Sequence, residues 1–330
     1  MNNFFKLNWK RIIIVVVCLI SISIVYSFEE NNYDRATKSL VLGSNDNKLE
    51  VVVMDVGQGD SILIRTPEGG DVLIDSGPDA SADKKLGKFL PYGDRDIELA
   101  LLTHPHSDHV AGFNEIMKNY NIKKIMMTGV LQTTSDYLNF LNTVKDQKIP
   151  VDFVTSTETV YLPGKDANST SSAYLEIMTP ESSLIGQRIE NLNNSSIVAK
   201  LIYGSTTMML TGDMEQEEKL VERGLDLKSD VLKVGHHGSV NANDIKFLTA
   251  VNPKYAAISV GKNNSFGHPH FRTIHDLDKL GAQILRTDLD GDIVFVSDGK
   301  QKTSDRPKLD AQKKFIVGCL RKEIFLKLFL

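Results

Sequence analysis

The stretch "LLTHPHSDHVAG", residues 101–112, decides the fold. It places three histidines and an aspartate within six positions directly after an apolar run, although the whole chain holds only eight histidines. Imidazole and carboxylate are ligands that zinc, iron and manganese accept. A lone histidine is more often an ordinary core or surface residue, but four such side chains in one turn predict a metal site at the end of a strand. The four are His104, His106, Asp108 and His109.

The positions of the two cysteines limit the kind of metal site that the chain can form. The 330 residues are 41% hydrophobic and 24% charged, which is ordinary for a folded protein. The chain has two cysteines, Cys18 and Cys319, and both lie outside the stretch whose pattern is globular. A disulfide framework or a thiolate zinc site is therefore excluded from that body. Any metal there must be held by histidine and carboxylate.

The central part of the chain is acidic, whereas its two ends are basic. Residues 29–310 carry 30 basic and 41 acidic side chains, a net charge of about −11. Sequence-independent binding of nucleic acid depends on Lys and Arg that neutralise phosphates. The overall charge is thus unfavourable for such binding, although a local basic groove is compatible with it.

The N-terminus has the pattern of an export segment. Lys6, Lys10 and Arg11 precede a charge-free run of seventeen residues, 12–28, and a polar stretch follows. The run is short for a membrane span and long for the core of a signal peptide. We therefore expect residues 1–28 to be a signal anchor or a cleaved signal peptide, and residues 29–48 to be a linker. Either alternative places the body outside the cytoplasm, anchored to the membrane or secreted.

The C-terminal tail, residues 301–330, has a different character. Apolar residues recur every four positions at Ile316, Leu320, Ile324 and Leu328, with Lys and Arg between them. This spacing predicts a basic amphipathic helix that can lie on an anionic membrane surface. A terminal helix docked on the body, or a partly disordered end, is equally compatible with the pattern.

The body, residues 49–300, alternates strand and helix patterns in two halves. Early Val-, Ile- and Leu-rich runs end at Gly or Pro, and each half then mixes strands with helices. We predict a single α/β domain in which two sheets pack face to face with helices outside. Within it, "SDHVAGFNEIMKNY" predicts one helix with Ser107 as N-cap, and a hairpin is expected to turn at Gly204 and Ser205.

Further motifs occur in a fixed order along this body: "MDVGQGDSILI", "LIDSGP", "THPHSDHVAG", "NNSSIV", "LTGD", "VLKVGHHGS" and "FGHPH". The set resembles the metallo-β-lactamase superfamily, and it is particularly similar to the extracytoplasmic β-lactamase-like domain of ComEC, the competence DNA-uptake channel. The resemblance covers roughly residues 49–298. It implies a four-layer αββα sandwich with two metal ions between the sheet edges.

The resemblance also implies roles for particular residues. His104 and His106 would bind the first metal, Asp108 and His109 the second, and Asp213 of "LTGD" would bridge them. One of His236 and His237 would be a further ligand of the second metal, and the other would face the substrate. Asp75 would lie behind the site and orient an imidazole. His268 would be a ligand or a phosphate-facing acid. In the prediction we assign catalysis to Asp108, His236 and His237, and metal binding to His237.

One departure from many members of the superfamily concerns the first metal. No histidine lies between His109 and His236, so the place of a third histidine is left to an asparagine such as Asn194 or to water. We expect the first site to be the weaker one. "DVGQGDS" joins two strands without a following helix, so it is not a nucleotide-binding loop. We expect its Asp55, Gln58 and Asp60 to shape the rim of the metal cleft.

These observations favour an exported metallo-hydrolase. Two divalent ions, zinc or manganese, would activate a hydroxide that attacks a phosphodiester, and a nuclease is one form of this hypothesis. The alternative is a phosphodiesterase of cell-wall or lipid headgroups, similar to phosphorylcholine esterase. A non-catalytic binding module is the third hypothesis, and it predicts broken ligand sets. Expected partners are the phosphodiester substrate and the membrane, through the N-terminal segment and the C-terminal tail.

Overall fold

A computed structural model describes residues 48–166 and 169–300 and the backbone of residues 316–319. The first of its two large sheets has the strand order 17-16-1-2-3-5-7-8, with strands numbered along the chain. Its strands are β1 (Leu49–Val53), β2 (Ile62–Arg65), β3 (Asp71–Ile74), β5 (Leu99–Leu101), β7 (Ile125–Met127), β8 (Val151–Phe153), β16 (Ile293–Ser297) and β17 (Ile316–Cys319).

The second large sheet has the order 15-14-13-12-11-10-9. Its strands are β9 (Glu158–Pro163), β10 (Thr170–Thr179), β11 (Val198–Tyr203), β12 (Thr206–Leu210), β13 (Val231–Lys233), β14 (Tyr255–Ile258) and β15 (Gln283–Arg286). A small parallel pair, β4 (Asp96–Ile97) with β6 (Asn121–Ile122), lies apart from both sheets. The predicted hairpin is confirmed, since β11 and β12 pair from Tyr203 with Thr206.

Helices flank both sheets. They are α1 (Ser81–Phe89), α2 (Ser107–Val110), α3 (Phe113–Asn119), α4 (Ser135–Asp146), α5 (Glu218–Glu222), α6 (Ile245–Val251), α7 (Phe271–Lys279) and α8 (Thr287–Asp290). Two short 3-10 turns cover Leu192–Ser195 and Gly235–Gly238.

Apolar side chains from both sheets meet in one central core. Val51 and Val53 of β1 face Leu175 of β10 and Leu210 of β12 in this cluster. Because successive residues of a strand point to opposite faces, Val52 is directed to the other side of its sheet, where it is also fully buried. A strand that is buried on both faces has a continuous apolar sequence, which explains the run "LEVVV".

The outer faces of the sheets are covered by the helices. Leu220 of α5, Phe247 of α6 and Leu277 of α7 share a second apolar cluster with Met209 and Leu232 of the second sheet. Helices α3 and α4 contact each other through the rings of Phe113 and Phe140, whose centroids are 5.4 Å apart. Helices therefore lie outside two packed sheets, and the predicted αββα sandwich is confirmed.

Sheet topology brings the conspicuous motifs to one edge. Strands β3, β5 and β7 run parallel to one another in the first sheet, and β12, β13, β14 and β15 do so in the second. The carboxyl ends of parallel strands meet at the same sheet edge. "THPHSDH" follows β5, "TGD" follows β12 and "VGHHGS" follows β13, so loops distant in sequence converge there.

Two sequence predictions need correction. The predicted single helix after β5 is broken at Ala111 and Gly112, and Ser107 is its first residue while His106 occupies the N-cap position. A Cβ on Gly112 would lie 2.0 Å from the carbonyl oxygen of Ser76, so the chain there packs too closely for a larger residue. The C-terminal tail forms a strand, not a helix, at Ile316–Cys319, where it pairs antiparallel with β16.

The predicted export segment, the linker up to residue 47 and the rest of the tail lie outside the described residues. Within the part of the chain that the structure describes, no helix has both the length and the apolar composition that a membrane crossing requires.

The loop between β1 and β2 lies directly on helix α2. A Cβ on Gly59 would be 2.3 Å from the carbonyl oxygen of Asp108, and the Asp60 N–H donates to that oxygen at 3.2 Å. The Ser259 hydroxyl donates to the Gly59 carbonyl at 2.6 Å from the other side. Gly59 therefore fixes the approach of this loop to Asp108.

We expect Gly59→Ala to lower the free energy of unfolding by roughly 2–4 kcal/mol, because the new methyl group must displace helix α2 and because φ there is +146°. Gly57→Ala is the matched control, since φ there is also positive but no atom lies within 4 Å of the new Cβ. It should cost about 1–2 kcal/mol. Urea unfolding of both variants measures the difference, and equal losses would contradict the close approach.

Candidate metal centre

Four side chains from three loops converge at the shared edge of the sheets. The ligand atoms of Asp108, His109, Asp213 and His237 all lie within 4.8 Å of one another. Asp213 Oδ2 is 3.2 Å from His109 Nε2 and 3.4 Å from His237 Nε2, while Asp108 Oδ2 is 3.2 Å from His237 Nε2. Asp108 is partly exposed and the other three are buried. The second half of the sequence-predicted set is thus assembled in one place.

The hydrogen bonds of the two imidazoles fix which nitrogen faces this centre. His109 Nδ1 donates to Asp75 Oδ2 at 2.7 Å, and His237 Nδ1 donates to the Ser259 carbonyl at 2.9 Å. A carbonyl and a carboxylate only accept, so Nδ1 carries the proton on each neutral ring. The lone pair of Nε2 is then directed at the carboxylates, as metal ligation requires.

Asp75 lies behind the centre, at the position that the resemblance implied. Besides His109, its carboxylate accepts from the Thr103 N–H at 2.8 Å and from the Thr103 hydroxyl at 2.7 Å. The hydroxyl, having donated to Asp75, can accept from His104 Nδ1 at 3.1 Å. One buried carboxylate therefore orients His109 directly and His104 through a threonine. Sequence reasoning did not identify Thr103.

His104 and His106 lie side by side at the predicted first metal position, with His104 Nε2 3.0 Å from His106 Nδ1. Asn194, the predicted substitute for a third histidine, is turned away, because its Oδ1 accepts from the Glu215 N–H at 3.1 Å. Its neighbour Asn193 lies within reach of His106 instead: its Nδ2 donates to Glu215 Oε1 at 3.0 Å, and its buried Oδ1 makes no hydrogen bond to any described residue. The motif "NLNNSS" identifies the amide but not which asparagine faces the site.

The turn that carries His236 and His237 has unusual backbone geometry. Both residues have left-handed conformations, with φ of 46° and 54°, which are unfavourable for residues with a Cβ. Asn243 holds the turn: its Oδ1 accepts from the Gly235 N–H at 3.0 Å and its Nδ2 donates to the carbonyls of Gly235 and Ser239 at 2.9 and 3.2 Å. Glu217 Oε1 in turn accepts from the Asn243 N–H at 2.8 Å.

The two adjacent histidines have different environments. His237 is 1% exposed and points into the centre. His236 lies at the mouth of the cleft with 22% of its side chain exposed, 2.9 Å from Glu215 Oε1 through Nδ1 and 3.8 Å from Asp213 Oδ2 through Nε2. The sequence left open which of the two binds metal, and the geometry favours His237.

His268 lies beside these two rings, with centroids 5.4 Å from His236 and 6.2 Å from His237. Burial, and then the neighbouring imidazoles, lower the pKa of His268 to about 4. Its ring is therefore neutral at neutral pH, and its buried Nδ1 has no hydrogen-bond partner in the part of the chain that the structure describes. These features suit a metal ligand or a neutral hydrogen-bonding group better than a charged acid.

Asp60 does not shape the rim of the cleft as predicted. It is 2% exposed and pairs with the equally buried Lys233, whose Nζ lies 2.7 Å from Asp60 Oδ2. Asp60 Oδ1 is 3.4 Å from His237 Nδ1, so this pair lies behind the second metal position. Nothing in the local sequence links Asp60 to Lys233, which is 173 positions further along the chain.

The charge balance of the centre fits a divalent cation. Burial opposes ionisation of Asp213, but His237 and His109 outweigh it and lower the pKa of Asp213 well below its usual value. Burial alone would lower the pKa of both imidazoles. Asp213 and Asp75 instead raise the pKa of His109 well above its usual value, and Asp213 and Asp108 do the same for His237. The carboxylates thus require positive charge beside them.

Buried polar atoms without hydrogen bonds also indicate a metal ion. His109 Nε2 and Asp213 Oδ1 are buried and make no hydrogen bond within the described residues. Nitrogen and carboxylate oxygen are suitable ligands for zinc and manganese. The residues present therefore fit a metal ion held by Asp108, His109, Asp213 and His237, with His104 and His106 forming an adjacent position.

Comparisons with known proteins show which family the chain resembles. Residues 54–262 match the family model described as the metallo-beta-lactamase superfamily. ComE operon protein 3 of Bacillus subtilis is 29% identical over 265 residues, which are 74% of this chain and 33% of that protein. Competence protein ComA of Neisseria gonorrhoeae is 30% identical over 254 residues, 76% of this chain and 32% of that protein. The chain thus spans about a third of the length of these relatives.

Among solved structures, the metallo-beta-lactamase fold protein YhfI of Bacillus subtilis covers 76% of this chain and 100% of its own, with a TM-score of 0.49 and 10% sequence identity.

We expect Asp75→Asn to weaken binding of Zn²⁺ or Mn²⁺ by about 10- to 100-fold, because both oxygens of Asp75 accept hydrogen bonds and the NH2 group of an amide would face one set of these donors. Isothermal titration of the metal-stripped protein measures the change. Asp71→Asn is the control, since Asp71 is a buried carboxylate of the same sheet that pairs with Arg65. An equal loss in both variants would mean that Asp75 acts only on folding.

A pH-dependent contribution to stability is expected from Glu217. Burial raises the pKa of Glu217 to about 8, from about 4.5 in an unfolded chain. Between these values the folded protein holds a proton that the unfolded chain lacks, so the free energy of unfolding falls as pH rises through this window.

Glu217→Gln keeps the acceptor for the Asn243 N–H and removes the titration. Its melting temperature should match the wild type near pH 5 and exceed it near pH 8.5. Glu222→Gln, on an exposed position of the same helix, should follow the wild type throughout. Parallel pH profiles for wild type and Glu217→Gln would refute a protonated Glu217.

Proposed function

The chain belongs to the metallo-β-lactamase superfamily, and we propose that it is a metal-dependent phosphodiesterase that acts on nucleic acid outside the cytoplasm. The observation that carries the proposal is the assembled cluster of Asp108, His109, Asp213 and His237, with buried ligand atoms that have no hydrogen bond. Two divalent ions bound there would supply Lewis acidity toward a phosphoryl oxygen and would lower the pKa of an attacking water.

The protein's own residues would divide the remaining work. Asp213 contacts His109 and His237 and acts electrostatically on His104 and His106, so it suits a ligand shared by two metal positions. Asn193 Oδ1 would take the place of a third histidine at the first position. Asn194, by contrast, would hold the loop through Glu215.

His236 would act on the substrate. Its Nδ1 lies 2.9 Å from Glu215 Oε1, which favours a proton at Nδ1 and leaves Nε2 facing the cleft. When the ring carries its second proton, Nε2–H can donate to a phosphoryl oxygen or give that proton to the leaving oxygen. His268, packed against both His236 and His237, would limit the entry of water on that side.

Support for nucleic acid as the substrate comes from the names of the relatives, which are competence proteins, and from the likeness of the motifs to a DNA-uptake protein. Export and contact with the membrane would follow from the apolar segment at residues 12–28. The acidic body favours the alternative, a phosphodiesterase of cell-wall or lipid headgroups, because such substrates need no extended basic groove.

The full chain, supplied with Mn²⁺ or Zn²⁺, is expected to cleave single-stranded DNA or plasmid and to lose this activity in EDTA. Asp108→Ala and Asp213→Asn should each lower kcat by about 10²-fold or more, since each removes a charged group from the reacting centre. Asp146→Asn, at an exposed position at the end of α4, is the control.

Two results would overturn the proposal. Release of choline phosphate from glycerophosphocholine without DNA cleavage would favour the headgroup enzyme. No metal-dependent turnover of any phosphodiester, together with unchanged metal content in Asp108→Ala, would favour a non-catalytic module.

A further inference from the structure

An exposed aromatic ring stands at the mouth of the metal centre. Phe266 lies in the loop between β14 and α7 and is 63% exposed. Its ring stacks on His268 at a centroid distance of 5.7 Å and an interplanar angle of 24°. His268 in turn contacts His236 and His237. Phe266 is therefore only two ring contacts away from the proposed metal ligand His237.

The backbone around Phe266 is held in place. Asn264 Oδ1 accepts from the N–H groups of Phe266 and His268 at 3.1 and 3.0 Å, and Asn264 Nδ2 donates to the carbonyls of Gly261 and His268 at 3.0 and 2.7 Å. One asparagine thus makes four hydrogen bonds within the loop. The exposed ring belongs to a fixed loop that connects directly to the site.

Packing does not account for this phenyl ring. Burying a Phe side chain stabilises a protein by about 1.5–3 kcal/mol, and most of that gain is forgone when the ring faces solvent. One face rests on His268, and the exposed fraction shows that much of the ring remains accessible to a ligand. A flat, one-sided aromatic surface suits a planar ligand.

Two planar or cationic groups occur in the phosphodiesters considered above: nucleobases and choline. Quaternary ammonium groups are typically bound by several aromatic rings that surround them. In the described part of the chain, the rings in contact at this mouth are Phe266 and imidazoles: Phe266 stacks on His268, whereas His236 and His270 meet His268 edge-on. This geometry favours a base, because every nucleobase offers a π-face for stacking regardless of sequence.

We propose that Phe266, backed by His268, is a stacking platform for a nucleobase next to the phosphodiester that enters the metal centre. The inference rests on the proposed function and names its substrate class: single-stranded nucleic acid whose bases are free to unstack.

Removal of the ring tests the platform. Phe266→Ala should raise KM for a single-stranded DNA oligonucleotide by about 5- to 150-fold with little change in kcat, which is the range for loss of one stacked base. Phe266→Trp should restore the KM. Phe271→Ala is the matched control, because Phe271 is 82% exposed and its ring contacts His275.

An oligonucleotide with abasic sites separates stacking from a structural effect. Wild type and Phe266→Ala should have the same KM for it, so an equal loss on the abasic and the complete oligonucleotide would overturn the proposal. An unchanged KM of Phe266→Ala on the complete oligonucleotide would overturn it as well. So would a raised KM for glycerophosphocholine alone, which would assign the ring to a cationic headgroup.

Binding without turnover keeps this test apart from the proposed function. Fluorescence anisotropy of a labelled oligonucleotide in EDTA should show weaker binding by Phe266→Ala than by wild type or Phe271→Ala. If wild type hydrolyses no phosphodiester but this difference is present, the proposed reaction is wrong and the platform stands. If wild type cleaves DNA and the difference is absent, the platform is wrong and the reaction stands.

Discussion

The structure depends on the contacts between the buried carboxylate of Asp213 and the imidazoles of His109 and His237. Removing a charged group from water costs several kcal/mol unless opposite charge lies beside it. Here the imidazoles lie on two other loops, with their Nε2 atoms 3.2 and 3.4 Å away, and the opposite charge is a proton on these rings or a cation that the rings and Asp213 would bind together. The contacts form only when the edges of both sheets are aligned. The same few atoms therefore couple the packing of the sandwich to the formation of the centre.

Support for these contacts extends outward through polar groups that are buried in their turn. Asp75 orients His109, and Lys233 neutralises Asp60 behind His237. Asn243 holds the left-handed turn at His236 and His237, a conformation that costs of order 1–3 kcal/mol at each residue. Strain of this kind persists only where the surroundings fix it, and here the surroundings are hydrogen bonds that end at Glu217. The unfavourable backbone geometry thus belongs to the binding centre itself.

The sequence was sufficient to predict the features that depend on local residue spacing. The cluster from His104 to His109 and its place after a strand could be read directly, and the resemblance supplied Asp213 and His237. The sequence could not show which of the adjacent Asn193 and Asn194 faces the site. The 3-10 turn at Leu192–Ser195 places Asn193 beside His106 and directs Asn194 to Glu215. The break in the helix after Val110 also depends on tertiary packing, since the N–H groups of Gly112 and Phe113 donate to the Gly77 carbonyl and the Ser76 hydroxyl instead of to the preceding turn.

Long-range pairs lay beyond sequence reasoning for a different reason. Asp60 lies in the loop before β2 of the first sheet and Lys233 in β13 of the second, and the sequence placed Asp60 at an exposed rim without indicating its partner. The sequence also did not predict that Phe266 is exposed, because phenylalanine is usually a core residue. In both cases the side chain's role follows from what packs around it, which no local pattern contains.

The acidic body constrains how a polyanionic substrate could bind. With about 11 more acidic than basic side chains in residues 29–310, long-range attraction of phosphates is weak, and affinity cannot rest on counterion release from many contacts. Short-range contacts must then supply it: bound cations at the centre for one phosphate, and ring contacts for a base. A site of this kind engages one or two nucleotides and not a long duplex, so its affinity should vary less with salt than that of a basic groove. Under the proposed function, the negative charge that is unfavourable for nucleic acid would limit the contact to the immediate surroundings of the metal centre.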